Sequence, residues 1–146
     1  MKILLALDEN TATAQIALEL ASLYKASLTV FFVMDSTWDV FIGHDWLSAS
    51  NSKADFLEWM KDQEHAASDR ALAQFETMAK GFADVSTEIA VGAGDVCAEV
   101  LRLAAAYDLL VISNPFRRGL GMVRDTTKKL TAANPCSLLF VKTEEA

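Results

Sequence analysis

The chain has 146 residues, 52% of them hydrophobic, with a formal net charge of −7. That length points to one domain over 1–146, and the apolar content is ample for a sizeable core. The negative balance argues against a nucleic-acid partner, whose phosphate backbone is gripped mainly by clustered Lys and Arg, and no apolar run approaches the roughly 20 residues that span a bilayer.

Lys2 to Leu7 is a near-continuous apolar run that stops at Asp8, the pattern of a strand buried on both faces. It is too short for a signal peptide, so a cytoplasmic protein is expected. Asn10 offers a helix N-cap, and Ala14, Ala17, Leu18 and Ala21, with Leu20 and Tyr24, follow at helical spacing. Ser27 to Met34 reads as a second strand, rich in β-branched and aromatic residues. Asp35 to Ser52 is irregular.

A long helix is expected over Asp55 to Lys80, stopped by Gly81. Val85, Thr87, Ile89 and Val91 alternate with polar or small residues, which predicts a third, less buried strand over 85–91. Gly92 to Asp95 reads as a turn and cap, Val96 to Tyr107 as a helix, and Leu109 to Ser113 as the fourth strand. A basic loop with Gly119 and Gly121 leads to Asp125, which would cap a helix over 126–133; Pro135 ends it before a last strand, Ser137 to Val141. Strict alternation of apolar strands with helices predicts an α/β fold of three layers, α/β/α, with a five-stranded, mostly parallel, Rossmann-like sheet. Cys97 and Cys136 are expected to be free, packed thiols, because no paired-cysteine motif accompanies them.

His44 and His65 lack ligand spacing and read as surface residues. Trp38, Phe41, Trp46, Phe56 and Trp59 read as a loop packed on its own helix, with a ligand lid or a partner surface as the sharper alternatives. Arg117, Arg118 and Arg124 could form an anion site with Thr126 and Thr127 at a helix start, or simply a solvated basic loop. The last strand should lie at a sheet edge without a charge until Lys142, and such an edge invites pairing with a second copy.

Three segments together resemble the universal stress protein family: ILLALDENTATAQIALELA at the start, VGAGDVCAEVLRLAAAYDLLVIS in the second half, and RRGLG followed by NPCSLLFVK at the close. The resemblance covers nearly the whole chain except 35–52, and it implies an adenine-nucleotide α-hydrolase-like fold and a homodimer joined through Ser137 to Val141. Members that bind ATP carry Gly-x2-Gly-x9-Gly-(Ser/Thr) after the fourth strand. Here Ser113 stands at the first glycine, Phe116 at the second, and Arg124 or Asp125 near the third, with Thr126 or Thr127 keeping the hydroxyl. Asp8 matches the family's ribose contact, and Val33 and Met34 its adenine contact.

Glycine lets a backbone approach phosphate closely; Phe116 adds bulk there and Pro115 removes a donor. Asp125 sets a like charge against phosphate, worth about 1 kcal/mol in partly solvated surroundings. The expectation is therefore a non-enzymatic, dimeric stress-response protein with weak or no ATP binding and no other cofactor, acting through partners or a small-molecule ligand. The alternative is a member that binds ATP or AMP through an Arg-rich loop, with Asp8, Val33, Arg117, Arg118, Gly119, Gly121, Thr126 and Thr127 as contacts and no metal site. A phosphoester or ATP hydrolase is the second alternative; no general base or metal-ligand set accompanies the loop, and no catalytic residue is named.

Overall fold

A computed structural model describes residues 1–35, 50–116, 118 and 126–142, with the backbone alone at 50–54, 56 and 57. Five strands, β1 (Lys2–Ala6), β2 (Ser27–Asp35), β3 (Thr87–Gly94), β4 (Leu109–Asn114) and β5 (Ser137–Lys142), form one sheet in the order β3-β2-β1-β4-β5. Every described pairing is parallel. The helices are α1 (Thr11–Tyr24), α2 (Ser50–Ala79), α3 (Val96–Ala104) and α4 (Thr126–Ala133).

The side-chain alternation of the central strands builds two cores. Ile3, Leu5, Leu28, Val30, Phe32 and Val111 face α1 and α2, where Leu18, Ala71 and Phe75 close the layer. Leu4, Ala6, Phe31, Val33, Leu110 and Ile112 face α3 and α4 and meet Val96, Val100 and Leu130. Because both faces are covered, β1 is buried from Ile3 onward, which is why its sequence is a continuous apolar run rather than an alternation.

The caps agree with the sequence at the start of α1, where Asn10 Oδ1 accepts from the Ala12 amide at 3.0 Å. At its end Lys25 takes the left-handed conformation, φ 52°, although it is not glycine. Asp95 caps α3 by accepting from the Ala98 amide at 3.0 Å.

Several boundaries move. The long helix begins at Ser50, not Asp55, and ends at Ala79. Gly81 closes it without a positive φ: its amide bonds to Met78 O at 3.1 Å, and the Phe82 amide to Ala79 O at 2.9 Å, so the last turn tightens. Val85 stands in a turn, its amide on Phe82 O at 3.0 Å, and β3 starts two residues later. The expected Gly92–Gly94 turn is instead extended strand, paired to Val33, Met34 and Asp35 of β2. Glycine is required there, because a Cβ at Gly92 would come within 2.8 Å of the Phe31 ring and Gly94 holds φ +139°. Tyr24 is exposed, and Cys136 is only half-buried, one residue ahead of β5. The expectations on Trp38, Phe41, His44, Trp46, Arg117, Gly119, Gly121, Arg124 and Asp125 lie outside the described residues, as does the Phe56 side chain.

Candidate functional site

In an open parallel sheet, ligands bind outside the strand C-termini where neighbouring crossovers diverge. Here that point lies between β1 and β4, the central strands whose other neighbours are β2 and β5. Asp8 follows β1; Ser113 and Asn114 end β4; Val33 and Asp35 end β2.

Asp8 is buried, and its Oδ1 accepts from the Asn10 amide at 3.0 Å. Burial raises its pKa above the ordinary 3.8, opposed by hydrogen bonds from the Asn10 amide and Ser113 and by the charge of Arg118. The hydroxyls of Ser113 and Thr13 lie 2.7 Å apart and both residues are buried. Ser113, matched to the family's first motif glycine, thus turns its side chain to α1 and Asp8.

Phe116, matched to the second, is buried with Val33, Phe31, Ile112 and Leu130 in the core beneath α3 and α4. The Asn114–Pro115 peptide before it is cis. Phe116 is therefore a core residue as well as a bulky replacement for glycine. Two residues on, Arg118 reaches the opposite side of the strand ends. Its Nη2 donates to the Val33 carbonyl at 2.5 Å and to Glu64 Oε2 at 2.8 Å. Its guanidinium lies over the Phe32 ring, 4.0 Å from the centroid. The same Glu64 oxygen accepts from the Asp35 amide at 2.8 Å. The Arg118 and Glu64 side chains are 8% and 11% exposed, and Arg118 Nε is buried with no partner among the described residues.

Thr126 opens α4 with a buried hydroxyl that has no partner among the described residues, and Thr127 Oγ1 donates to Asn114 Oδ1 at 3.3 Å. Of the sequence candidates, Asp8, Val33 and Arg118 come together: Arg118 bonds to Val33 and its charge acts on Asp8. Thr127 is joined to the end of β4 instead. Among the described residues no group of three or more His, Cys, Asp or Glu could hold a metal ion, and no helix is long and apolar enough to cross a membrane. His65 is exposed on α2.

Sequence reasoning misses Glu64, Phe32 and Thr13. Glu64 has a readable signal: it falls on the same face of α2 as Ser68, Ala71 and Phe75, and a charge within an apolar stripe needs a buried partner. Phe32 and Thr13 carry no such signal.

Neither a protein-family model nor a curated protein sequence matches the chain. Solved structures do. The chain is similar to the universal stress protein UspA from Lactobacillus plantarum, at 18% identity and a TM-score of 0.73 over 97% of each chain. A universal stress protein in complex with cAMP matches at 17% identity and TM-score 0.62, over 99% of this chain and 98% of that one. A universal stress protein family member from Burkholderia pseudomallei matches at 18% identity and TM-score 0.59, over 96% and 94%. The parallel five-stranded sheet with helices on its two faces is thus that of the universal stress protein fold.

Proposed function

We propose that the chain is a universal stress protein-like, non-enzymatic homodimer that binds ATP weakly or not at all, and acts through partners or another small ligand. One observation carries this reading: the Val33 carbonyl, at the position where the family resemblance implies an adenine contact, already accepts from Arg118. A nucleotide base seated there competes for that carbonyl with a guanidinium that is also paired with the buried Glu64 carboxylate. Breaking such a pair from one side costs about 3–5 kcal/mol, a factor of a hundred or more in affinity. Phe116 adds to it, because withdrawing the ring from the core to make room for phosphate gives up the burial of a large aromatic side chain. The dimer is supported by the position of β5 at one edge of the sheet with a mainly apolar sequence.

Titration calorimetry with ATP, AMP and cAMP, with and without magnesium, tests the ligand half. Kd values of about 1 mM or weaker are expected for ATP and AMP. A nucleotide retained through purification, or micromolar ATP binding, would overturn the reading.

A second reading keeps one specific support. The Thr126 hydroxyl is buried at the start of α4 and unpartnered among the described residues, and a protein of the same fold is a complex with cAMP. A nucleotide-binding protein that grips phosphate through this helix start and the Arg-rich loop would use both, and the same calorimetry separates the two.

A further inference from the structure

We propose that the Val33 carbonyl, the Glu64 carboxylate and the Phe32 ring form a binding site for a planar guanidinium-type cation, which Arg118 fills in cis and which a free guanidinium compound can take in its place.

The three recognition groups belong to the body of the fold. Val33 and Phe32 stand on β2, the second strand in from the β3 edge and paired on both sides. Glu64 stands on α2, and its Oε2 is held by the Asp35 amide at 2.8 Å, independently of Arg118. The occupant arrives from elsewhere in the chain, beyond the end of β4. The chemistry of the pocket selects its ligand. A carboxylate and a carbonyl, both acceptors, converge on one nitrogen of a flat cation, at 2.8 and 2.5 Å. An aromatic face 4.0 Å from the cation's centre favours a delocalised, weakly hydrated plane over a compact ammonium. The walls are acceptors and π-face, which is the opposite of what a phosphate needs.

Among the described residues the buried Arg118 Nε–H finds no acceptor, so the contacts that hold the guanidinium there are those of Nη2 and of the Phe32 ring. The tether gives Arg118 a large advantage over any free group, because the folded chain already holds it in place. Free ligand therefore binds more tightly once the tethered group is removed.

Arg118→Ala empties the pocket and leaves Glu64 on the Asp35 amide. Methylguanidinium at low-millimolar, non-denaturing concentration is expected to raise the melting temperature of this variant by several degrees, growing with the logarithm of concentration once the site saturates. The wild type should respond much less, methylammonium should not substitute, and Glu64→Gln combined with Arg118→Ala should abolish the response. Equal responses of variant and wild type, or equal rescue by methylammonium, would overturn the assignment. If Arg118→Ala does not fold unaided, Arg118→Lys takes its place. Its compact, strongly hydrated ammonium matches the ring face and the paired acceptors less well than a guanidinium plane, so methylguanidinium should still shift it more than the wild type, and failure to do so counts against the site. Micromolar ATP binding by the wild type would sink the reading of weak or absent ATP binding and leave this pocket standing, since the methylguanidinium response is read in the Arg118 variant with no nucleotide present.

Discussion

Glu64 and Arg118, 54 residues apart in sequence, meet at 2.8 Å beside the end of β2 and tie the long helix α2 to the segment after β4. Both side chains are almost fully withdrawn from water. A buried pair of this kind is worth little against an apolar replacement, but removing one partner strands a charge. Glu64→Ala is expected to lower unfolding stability by about 3 kcal/mol or more in urea denaturation. Glu64→Leu with Arg118→Met should recover much of that loss. A double variant as unstable as the sum of its singles would show that the pair has no coupling.

Thr13 and Ser113 form a second buried contact, hydroxyl to hydroxyl at 2.7 Å, joining α1 to β4. Thr13→Val keeps the shape and leaves Ser113 with one partner fewer, at a cost of about 1–3 kcal/mol. Thermal denaturation of Thr13→Val, Ser113→Ala and the double variant completes the cycle, and the double should lie well above the additive expectation.

Asp8 sets a pH dependence with a definite sign. Burial holds its pKa above the ordinary value in the folded chain, so between the two values the folded state binds more protons than the unfolded one. The favourable contribution of Asp8 is present at acid pH and is lost as pH rises from 3.8 through the raised folded value. Asp8→Asn keeps an oxygen for the Asn10 amide and removes the titration. Stability measured against pH should therefore show the Asp8→Asn variant gaining on the wild type as pH rises through that window; parallel curves would exclude Asp8 as the source.

Gly92→Ala tests the close approach of β3 to β2. The added methyl would meet the Phe31 ring at 2.8 Å, and Phe31 is itself packed in the core beneath α3. Overpacking of this sort costs about 1–3 kcal/mol, read as a lowered melting temperature. Phe31→Leu in the same chain should relieve part of it.

Leu139→Lys puts a charge on β5 at the sheet edge. If a second copy pairs there, light scattering after gel filtration should show a shift from dimer to monomer, with far-UV circular dichroism unchanged. A wild type that is already a stable monomer at micromolar concentration ends the dimer reading.

Much of the fold is legible in one dimension. The continuous apolar runs of β1 and β4, the helical spacing of Ala14, Ala17, Leu18 and Ala21, and Asn10 ahead of them all report local periodicity and capping, and the parallel α/β sheet follows from their alternation. The start of β3 is misplaced by pattern because Val85 continues the alternation while its backbone belongs to a turn. The glycines after it look like a break because glycine is usually read as a turn former. Here Gly92 and Gly94 extend the strand, since the Phe31 ring and a positive φ leave no room for a larger residue.

The crevice is legible only in outline. Asp8, Val33 and Arg118 can be placed at strand ends and in the following loop from pattern alone, because strand ends and loops follow from local signals. Which groups Arg118 faces is a matter of tertiary distance. Glu64 and Phe32 lie 54 and 86 positions away along the chain, and only the packing of α2 against β2 brings them to one guanidinium. Local chemistry dictates elements, while the partner of a buried charge is chosen by how those elements stack. That choice turns a residue which reads as a phosphate grip into the internal occupant of an acceptor-lined pocket.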